Sequence, residues 1–140
     1  MAEKLTNQVV MVVGASSGIG RETAILFARE GARVMAAARR EDRLRGLQQQ
    51  LAAEGFAIEI AIADASKSAD MDRLVEETRK KLGEIDILVY NTGTNVKDRA
   101  MTRLNPAIWD MMISVNLNGA YYATRAVLPA MRARKSGHLI

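Results

Sequence analysis

A glycine-rich turn near the amino terminus has the residue types and spacing best suited to chemistry in this sequence. Residues 13–20 have the sequence V-G-A-S-S-G-I-G, which follows the β-branched run 9–13 and precedes an amphipathic stretch at 21–30. A strand, a turn and a helix start in direct succession leave backbone N–H groups free at the positive end of a helix dipole. This arrangement predicts a binding site for a phosphate or diphosphate group.

Each glycine of the turn has its own role in this interpretation. Gly14 lets the chain turn sharply off the strand, Gly18 lets the backbone approach an anion, and Gly20 lets the helix pack against the sheet. The spacing G-x-x-x-G-x-G is one residue longer in its first loop than the common G-x-G-x-x-G pattern. An ordinary glycine turn is the alternative. The candidate cofactor-binding residues here are Gly14, Ser16, Ser17, Gly18, Ile19 and Gly20.

The turn resembles the T-G-x-x-x-G-I-G motif of the short-chain dehydrogenase/reductase family, and the resemblance extends over essentially the whole chain. Val13 stands where the family has threonine. The resemblance implies an oxidoreductase that transfers hydride between a nicotinamide cofactor and a carbonyl or alcohol substrate. It also implies that residues 1–140 form one cofactor-binding domain, equivalent to the amino-terminal half of a family member.

Apolar strand-like runs alternate with helical periodicity along the chain. The runs lie at 9–13, 34–38, 58–62 and 85–90, and a glycine follows each intervening helix as a C-cap. Such alternation with right-handed crossovers predicts an α/β fold, a doubly wound parallel sheet of Rossmann type. We expect the strand order 3-2-1-4, with the cofactor over the carboxyl ends, and a fifth strand that begins at the carboxyl terminus.

The longest predicted helix begins at Asn105 and Pro106, because asparagine suits the N-cap and proline the first turn. We expect Pro129 to kink or interrupt it. The resemblance implies that Asn116, on this helix, is the family's catalytic asparagine, which helps to relay a proton through water. The alternative is a polar side chain that satisfies backbone groups at a helix distortion, and the two roles are compatible.

The end of the second strand indicates which nicotinamide coenzyme is bound. Ala38 occupies the position at which an NAD-selective pocket has an acidic residue, and Arg39 and Arg40 follow it. A guanidinium can bind a 2′-phosphate through two charge-assisted hydrogen bonds, whereas a carboxylate would repel it. We therefore predict NADP(H) as the cofactor, with Arg39 favoured over Arg40 for the phosphate. The alternative is that both arginines begin a solvated helix and pair with Glu41 and Asp42.

Two further segments follow the third and fourth predicted strands. The resemblance implies that Asp64 and Ala65 meet the adenine, although Asp64 has the alternative role of opening the next turn with its short acceptor side chain. The segment Asn91-Thr92-Gly93 is similar to the family's Asn-Ala-Gly, in which the asparagine braces the sheet and small residues let the cofactor pass. Thr92 in place of alanine adds a methyl and a hydroxyl that either tighten or obstruct this groove.

The family's serine and Tyr-x-x-x-Lys pair have no counterparts in residues 1–140. The residues four positions after Tyr90, Tyr121 and Tyr122 are Thr94, Arg125 and Ala126. An arginine stays protonated and cannot join a proton relay, so we expect Tyr121 to pack on its helix. His138 is expected to be a strand-edge residue. We therefore expect no turnover by this chain alone, either as the cofactor half of an oxidoreductase or as a non-catalytic NADP(H)-binding or subunit-pairing module.

Composition argues against several other classes of protein. The net charge is +4, but the fourteen arginines are scattered and aromatic residues are only 4%, which favours a solvated surface over nucleic-acid binding. The absence of cysteine excludes thiolate metal sites, and we expect no metal. Neither a membrane-spanning run nor a signal-peptide pattern at residues 1–4 is found, so we expect a cytoplasmic protein with a small-molecule substrate and no membrane partner. An exposed edge near the fourth and fifth strands predicts a homo-oligomer.

Overall fold

A five-stranded parallel sheet forms the centre of the structure, a computed structural model that describes residues 4–140. The strands are β1 (Val9–Val13), β2 (Arg33–Ala38), β3 (Glu59–Ile62), β4 (Ile87–Tyr90) and β5 (His138–Leu139). Their order is β3-β2-β1-β4-β5, and each neighbouring pair runs parallel. The predicted order of the first four strands is therefore confirmed. Residues 1–3, on which the expectation of no signal peptide partly rests, lie outside the described residues.

Helices cover both faces of this sheet. They are α1 (Gly18–Arg29), α2 (Glu41–Ala53), α3 (Ser68–Leu82), α4 (Pro106–Ile113) and α5 (Gly119–Arg134). A π-helical segment, Ser114–Asn118, joins α4 to α5 without a break. None of the helices within residues 4–140 is both long and apolar enough to cross a membrane.

The side chains of β1 alternate between two apolar cores, which is what a sheet covered on both faces requires. Val10 and Val12 face one core, which α1 and α2 complete. Met11 and Val13 face the other core, which α3 and α5 complete. The largest contributions from the helices come from Leu44, Leu47, Leu51, Met71 and Leu74. Burial of the strands on both sides explains why their sequences are continuous apolar runs.

The long helix begins as predicted but does not break where predicted. The Asn105 side chain caps α4 by accepting a hydrogen bond from the N–H of Ala107 at 2.8 Å. Pro129 does not interrupt the helix, because α5 continues through it to Arg134, and the alternative that Pro129 kinks the helix stays a prediction. Pro129 lies on the exposed side of α5, where water can solvate the carbonyl of Arg125 that the proline leaves without an N–H donor. The irregularity lies earlier, in the π-helical segment.

Asp86, immediately before β4, fastens the amino-terminal edge of the sheet. One of its carboxylate oxygens accepts a hydrogen bond from the N–H of Val9 at 2.8 Å. The other faces the guanidinium of Arg134 at 3.1 Å, and the same guanidinium donates to the carbonyl of Ile85. This one carboxylate therefore joins the amino-terminal ends of β1 and β4 to the carboxyl-terminal end of α5.

Candidate cofactor-binding site

A cavity of about 300 Å³ lies over the carboxyl ends of the strands, at the point where the strand order reverses. Crevices of this kind are where open α/β sheets bind their ligands. The lining includes every residue predicted to bind the cofactor except Gly20. The other lining residues are Val13, Ala38, Ala63, Thr94 and Val115. Segments that are far apart in sequence are therefore brought to one place, as their positions after successive strands predicted.

The turn after β1 packs closely against neighbouring residues at Gly14 and faces open space at Gly18. The N–H of Gly14 donates to the carbonyl of Ala37 at 2.8 Å, which ties the turn to β2. A Cβ on Gly14 would stand 2.8 Å from the hydroxyl oxygen of Thr92, so no side chain fits at this position. Gly18 has a φ of +56° and nothing within 4 Å of where its Cβ would be. The backbone of Gly18 therefore faces space in which a ligand can approach it closely.

The start of α1 presents free backbone donors to the cavity. Ser17 is the N-cap residue but makes no capping hydrogen bond with its side chain, and the first turn contains no acidic residue. The N–H groups of this turn lack helical acceptors and lie at the positive end of the helix dipole, as an anion site requires. A Cβ on Gly20 would overlap the carbonyl of Gly14. Gly20 therefore lets the start of α1 lie close against the turn after β1, whereas the prediction placed this close approach at the sheet, and it does not line the cavity.

The guanidinium of Arg40 is held over the glycine turn by two serine hydroxyls. Its Nη2 lies 2.9 Å from the Oγ of Ser16 and 2.9 Å from the Oγ of Ser17. Arg39 also lines the cavity, and its positive charge acts on Asp64, which follows the neighbouring strand β3. Both arginines therefore line the cavity, and Arg40 is the one held by side-chain hydrogen bonds.

The acidic residues that follow the arginine pair have other partners. Glu41 accepts a hydrogen bond from Nε of Arg45 at 2.8 Å, one helical turn along α2. Asp42 lies 3.9 Å from the guanidinium of Arg43. Arg39 and Arg40 therefore do not pair with these carboxylates in the described structure, contrary to the alternative interpretation.

Asp64 opens the loop after β3, which is the alternative role considered for it. Its Oδ1 accepts hydrogen bonds from the N–H and the hydroxyl of Ser66, at 3.0 Å and 2.7 Å. Partial burial disfavours the charged carboxylate, but these hydrogen bonds and the charges of Arg39 and Lys67 outweigh burial and hold the pKa of Asp64 below its usual range. Asp64 and Ala65 also line the cavity, and their contact with adenine stays a prediction.

The loop after β4 forms the floor of the cavity. The N–H of Asn91 donates to the carbonyl of Val13 at 2.9 Å, so this loop is joined to the turn after β1. Thr92 is half-buried beside Gly14 and lines the cavity together with Gly93. The floor is thus built from small residues joined by backbone hydrogen bonds.

Asn116 lies next to the cavity and forms hydrogen bonds with both backbone groups of one residue at its floor, Thr94. Its Oδ1 accepts from the N–H of Thr94 at 2.7 Å, and its Nδ2 donates to the carbonyl of Thr94 at 2.9 Å. It lies in the π-helical segment, so the alternative of a polar side chain at a helix distortion is present in the structure. The backbone that it satisfies belongs to the neighbouring loop, and its catalytic role stays a prediction.

Comparison with known proteins identifies the family of this chain. Residues 8–140 match the family model described as short chain dehydrogenase. The chain belongs to the short-chain dehydrogenase family.

Similar short-chain dehydrogenases include curated relatives and solved structures. An uncharacterized oxidoreductase of Staphylococcus saprophyticus is 38% identical over 96% of this chain and 53% of its own length. One of Listeria monocytogenes is 36% identical over 97% of this chain and 54% of its own length. The chain thus spans about half the length of the curated relatives that it matches.

Two of the similar crystal structures contain a nicotinamide coenzyme. A metagenomic short-chain oxidoreductase in complex with NADP is 36% identical, with a TM-score of 0.91 over 96% of this chain and 61% of its own. Actinorhodin polyketide ketoreductase with NADPH is 32% identical, with a TM-score of 0.90 over 96% of this chain and 53% of its own. The sheet and helices described above are therefore those of short-chain dehydrogenases.

Sequence reasoning missed the contact between Tyr90 and Val115. The Tyr90 hydroxyl donates a hydrogen bond to the carbonyl of Val115, which lies in the π-helical segment and lines the cavity. Burial, with the carboxylate of Asp64 adding to it, raises the pKa of Tyr90 to about 12. The sequence does show a tyrosine at the last position of an otherwise aliphatic strand, but the residues near it do not indicate which group its hydroxyl would bind.

The other residues that the sequence analysis considered do not line the cavity. Tyr121 is 61% exposed, so the expectation that it packs on its helix is wrong, and its ring centroid lies 5.7 Å from that of Tyr122. Arg125 binds the carboxylate of Asp72 at 2.7 Å. His138 is an exposed residue of β5, as predicted. Within residues 4–140, no group of three or more histidine, aspartate or glutamate side chains is arranged to hold a metal ion.

Proposed function

We propose that this chain binds NADP(H) and is the coenzyme-binding part of an oxidoreductase that transfers hydride between the nicotinamide and a carbonyl or alcohol. The observation that carries the proposal is the guanidinium of Arg40, held 2.9 Å from the hydroxyls of Ser16 and Ser17 inside the cavity. Ala38 stands where a carboxylate would select NAD. A cation attracts the 2′-phosphate of NADP(H), and the lack of a carboxylate removes the repulsion.

The residues that line the cavity fit such a coenzyme part by part. The N–H groups at the start of α1 suit the diphosphate, because they are free donors above a turn with no side chain in the way. Arg39 and Arg40 suit the 2′-phosphate, and Asp64, which follows the neighbouring strand β3, suits the adenine. The small residues at 91–93 leave a path toward the nicotinamide. The bound coenzyme would supply or accept the hydride.

The chain's own contribution to the reaction is to bind and orient the coenzyme. Asn116 holds the backbone of Thr94 at the cavity floor and is the one residue here proposed to help move a proton. Residues 1–140 contain no tyrosine followed four positions later by a lysine. Because the chain spans about half the length of its curated relatives, we propose that turnover needs further residues and that this chain alone binds coenzyme without turnover.

Calorimetric titration of the 140-residue chain with NADPH and with NADH tests the proposal. We expect heat of binding with NADPH and at least about tenfold weaker binding of NADH, the factor that one charge-assisted hydrogen bond supplies. No heat with either coenzyme from folded protein would refute the proposal. A Gly18→Val variant places a side chain in the open space above the turn and should lose binding of both coenzymes. Because the φ of Gly18 is +56°, its thermal unfolding is measured alongside, so that backbone strain is separated from the loss of binding.

The alternative function, a non-catalytic module that binds NADP(H) or pairs with a subunit, predicts the same titration. Sequencing the gene beyond codon 140 separates the two. An in-frame serine and Tyr-x-x-x-Lys segment would support the oxidoreductase, whereas a stop codon would support the module. Turnover of NADPH with a panel of carbonyl compounds by the 140-residue chain would contradict both.

We further propose that the protein is cytoplasmic, acts on a small molecule without nucleic-acid or membrane partners, and associates with itself. Support for self-association comes from apolar side chains exposed on α4, the π-helical segment and β5, among them Trp109, Leu117 and Leu139. The edge of β5 that does not face β4 has no strand beside it in the described sheet. Sedimentation at high protein concentration checks this, and a monomer would count against it.

A further inference from the structure

Tyr90 replaces a missing donor in the long helix. In an α-helix the N–H of Gly119 would donate to the carbonyl of Val115, four residues earlier. Here it donates to the carbonyl of Ser114, five residues earlier, which is the π-helical pattern. The carbonyl of Val115 accepts the hydroxyl of Tyr90. A side chain from β4 thus compensates for the helical hydrogen bond that the π-helical segment gives up.

The space for this phenol is provided by Gly119. A Cβ at this position would overlap the Tyr90 hydroxyl and stand 2.8 Å from the carbonyl oxygen of Ala65. The phenol therefore lies between the loop that follows β3 and the start of α5. Because Val115 lines the cavity, Tyr90 supports this wall from behind without being part of the lining.

The register of the π-helical segment decides where Asn116 points. The segment accommodates one residue more than an α-helical turn, and removing that residue would rotate the following positions by about 100°. In the observed register, Asn116 pairs with both the N–H and the carbonyl of Thr94. A Cβ on Gly93 would stand 3.3 Å from the Oδ1 of Asn116, so the asparagine also approaches the floor closely.

We propose that Tyr90 is a positioning residue of the coenzyme site, whose hydroxyl holds the π-helical segment in the register that lets Asn116 clamp the backbone of Thr94. The hydroxyl acts on Val115, the segment places Asn116, and Asn116 fixes the floor of the cavity at Thr94. The effect on Asn116 is a property of the chain by itself. The effect on coenzyme affinity rests on the proposed function.

Hydrogen exchange in the coenzyme-free chain tests the positioning directly. In Tyr90→Phe the ring remains and only the hydroxyl is lost. We expect the side-chain amide of Asn116 and the backbone N–H of Thr94 to exchange about tenfold faster by NMR, while amides of β1 and β2 keep their rates. Tyr122→Phe is the matched control, because this partly buried tyrosine packs against the core away from the cavity, and its exchange pattern should equal that of the wild type.

Two outcomes would overturn the positioning of Asn116. One is unchanged exchange at both sites in Tyr90→Phe. The other is uniform acceleration throughout the sheet, since that would indicate a general loss of stability. Thermal unfolding of the same variants identifies the second outcome independently of exchange.

A double-mutant cycle tests the link to the coenzyme. We expect Tyr90→Phe to weaken NADPH and NADH binding by the same factor, about threefold to tenfold, because Thr94 follows β4 whereas the arginines proposed to distinguish the two follow β2, with β1 between them. In an Asn116→Ala background, Tyr90→Phe should have no further effect. Unchanged affinity in Tyr90→Phe, or additive losses in the double variant, would overturn this link. A wild-type chain that binds neither coenzyme would refute the proposed function, while the exchange result would still decide the role of Tyr90.

Discussion

The guanidinium of Arg40 lies 2.9 Å from the hydroxyl of Ser16, 24 residues earlier in the chain. This hydrogen bond joins the end of β2 to the turn after β1 at the mouth of the cavity. Since Ser17 holds the same nitrogen, the arginine is fixed before any ligand arrives, and less side-chain freedom is lost on binding. Arg39 makes no side-chain hydrogen bond with the described residues, and its charge acts on Asp64.

We expect Arg39→Ala and Arg40→Ala each to weaken NADPH binding by about tenfold or more, because each removes charge-assisted hydrogen bonds to the 2′-phosphate. NADH, which lacks that phosphate, should bind nearly as well as to the wild type. Calorimetry with both coenzymes measures the difference. Arg43→Ala removes the same charge from an exposed position outside the cavity and should change neither affinity. Equal losses for the two coenzymes would contradict the assignment.

Gly119→Ala and Gly46→Ala should change the free energy of unfolding in opposite directions. A Cβ at Gly119 would overlap the hydroxyl of Tyr90, so we expect a loss of about 1–3 kcal/mol. Gly46 is an exposed residue within α2 with nothing within 4 Å of its Cβ position. There alanine should add about 0.5–1 kcal/mol through helix propensity. Urea unfolding measures both, and a stabilised Gly119→Ala chain would refute the close contact.

Thr92 is expected to tighten the coenzyme groove rather than obstruct it. Its hydroxyl lies beside Gly14, makes no hydrogen bond with the described residues, and belongs to a residue that lines the cavity. We expect Thr92→Val, which keeps the shape and removes the hydroxyl, to weaken both coenzymes by about twofold to tenfold. Thr92→Ser keeps the hydroxyl and should bind as the wild type does. Tighter binding in Thr92→Val would mean that the hydroxyl hinders the coenzyme.

Stability should fall in alkali because of Tyr90. Burial and the nearby carboxylate of Asp64 raise its pKa from 10.0 to about 12 in the folded chain. A raised pKa means that the folded state holds this proton more tightly, so its contribution to stability is complete below pH 10 and is lost as the pH rises to about 12. Urea unfolding at several pH values should show this loss in the wild type. In Tyr90→Phe the part of this stability loss that comes from the Tyr90 hydroxyl should be absent, whereas Tyr122→Phe should lose stability in alkali as the wild type does.

Asp86→Ala should destabilise the fold more than Asp72→Ala. The first leaves the N–H of Val9, a residue only 3% exposed, without its acceptor, and we expect a loss of about 1–3 kcal/mol. The second removes an exposed ion pair with Arg125, for which about 0–1 kcal/mol is typical. Thermal or urea unfolding gives both values. Equal losses would mean that the carboxylate at 86 does not fasten the sheet.

Much of the fold was predictable because its strands are buried on both faces. The run at 9–13 coincides with β1, and the other three predicted strands agree with the structure to within two residues at their ends. Their order followed from the alternation with helices. The predicted interruption at Pro129 followed from a local rule that does not consider solvent, and on an exposed helix face the helix continues through the proline.

The sequence by itself determined the glycine turn, the arginine pair and the absence of a carboxylate at Ala38. These depend on residue types at short spacing, which a linear pattern records. Only the tertiary structure decided that Arg40 is bound by the serine hydroxyls, and that Tyr90 reaches Val115 across 25 residues of chain. Such contacts depend on the register between β4 and the long helix, and on the side-chain positions that packing selects. Nothing in the neighbouring residues encodes that register, so it had to be observed.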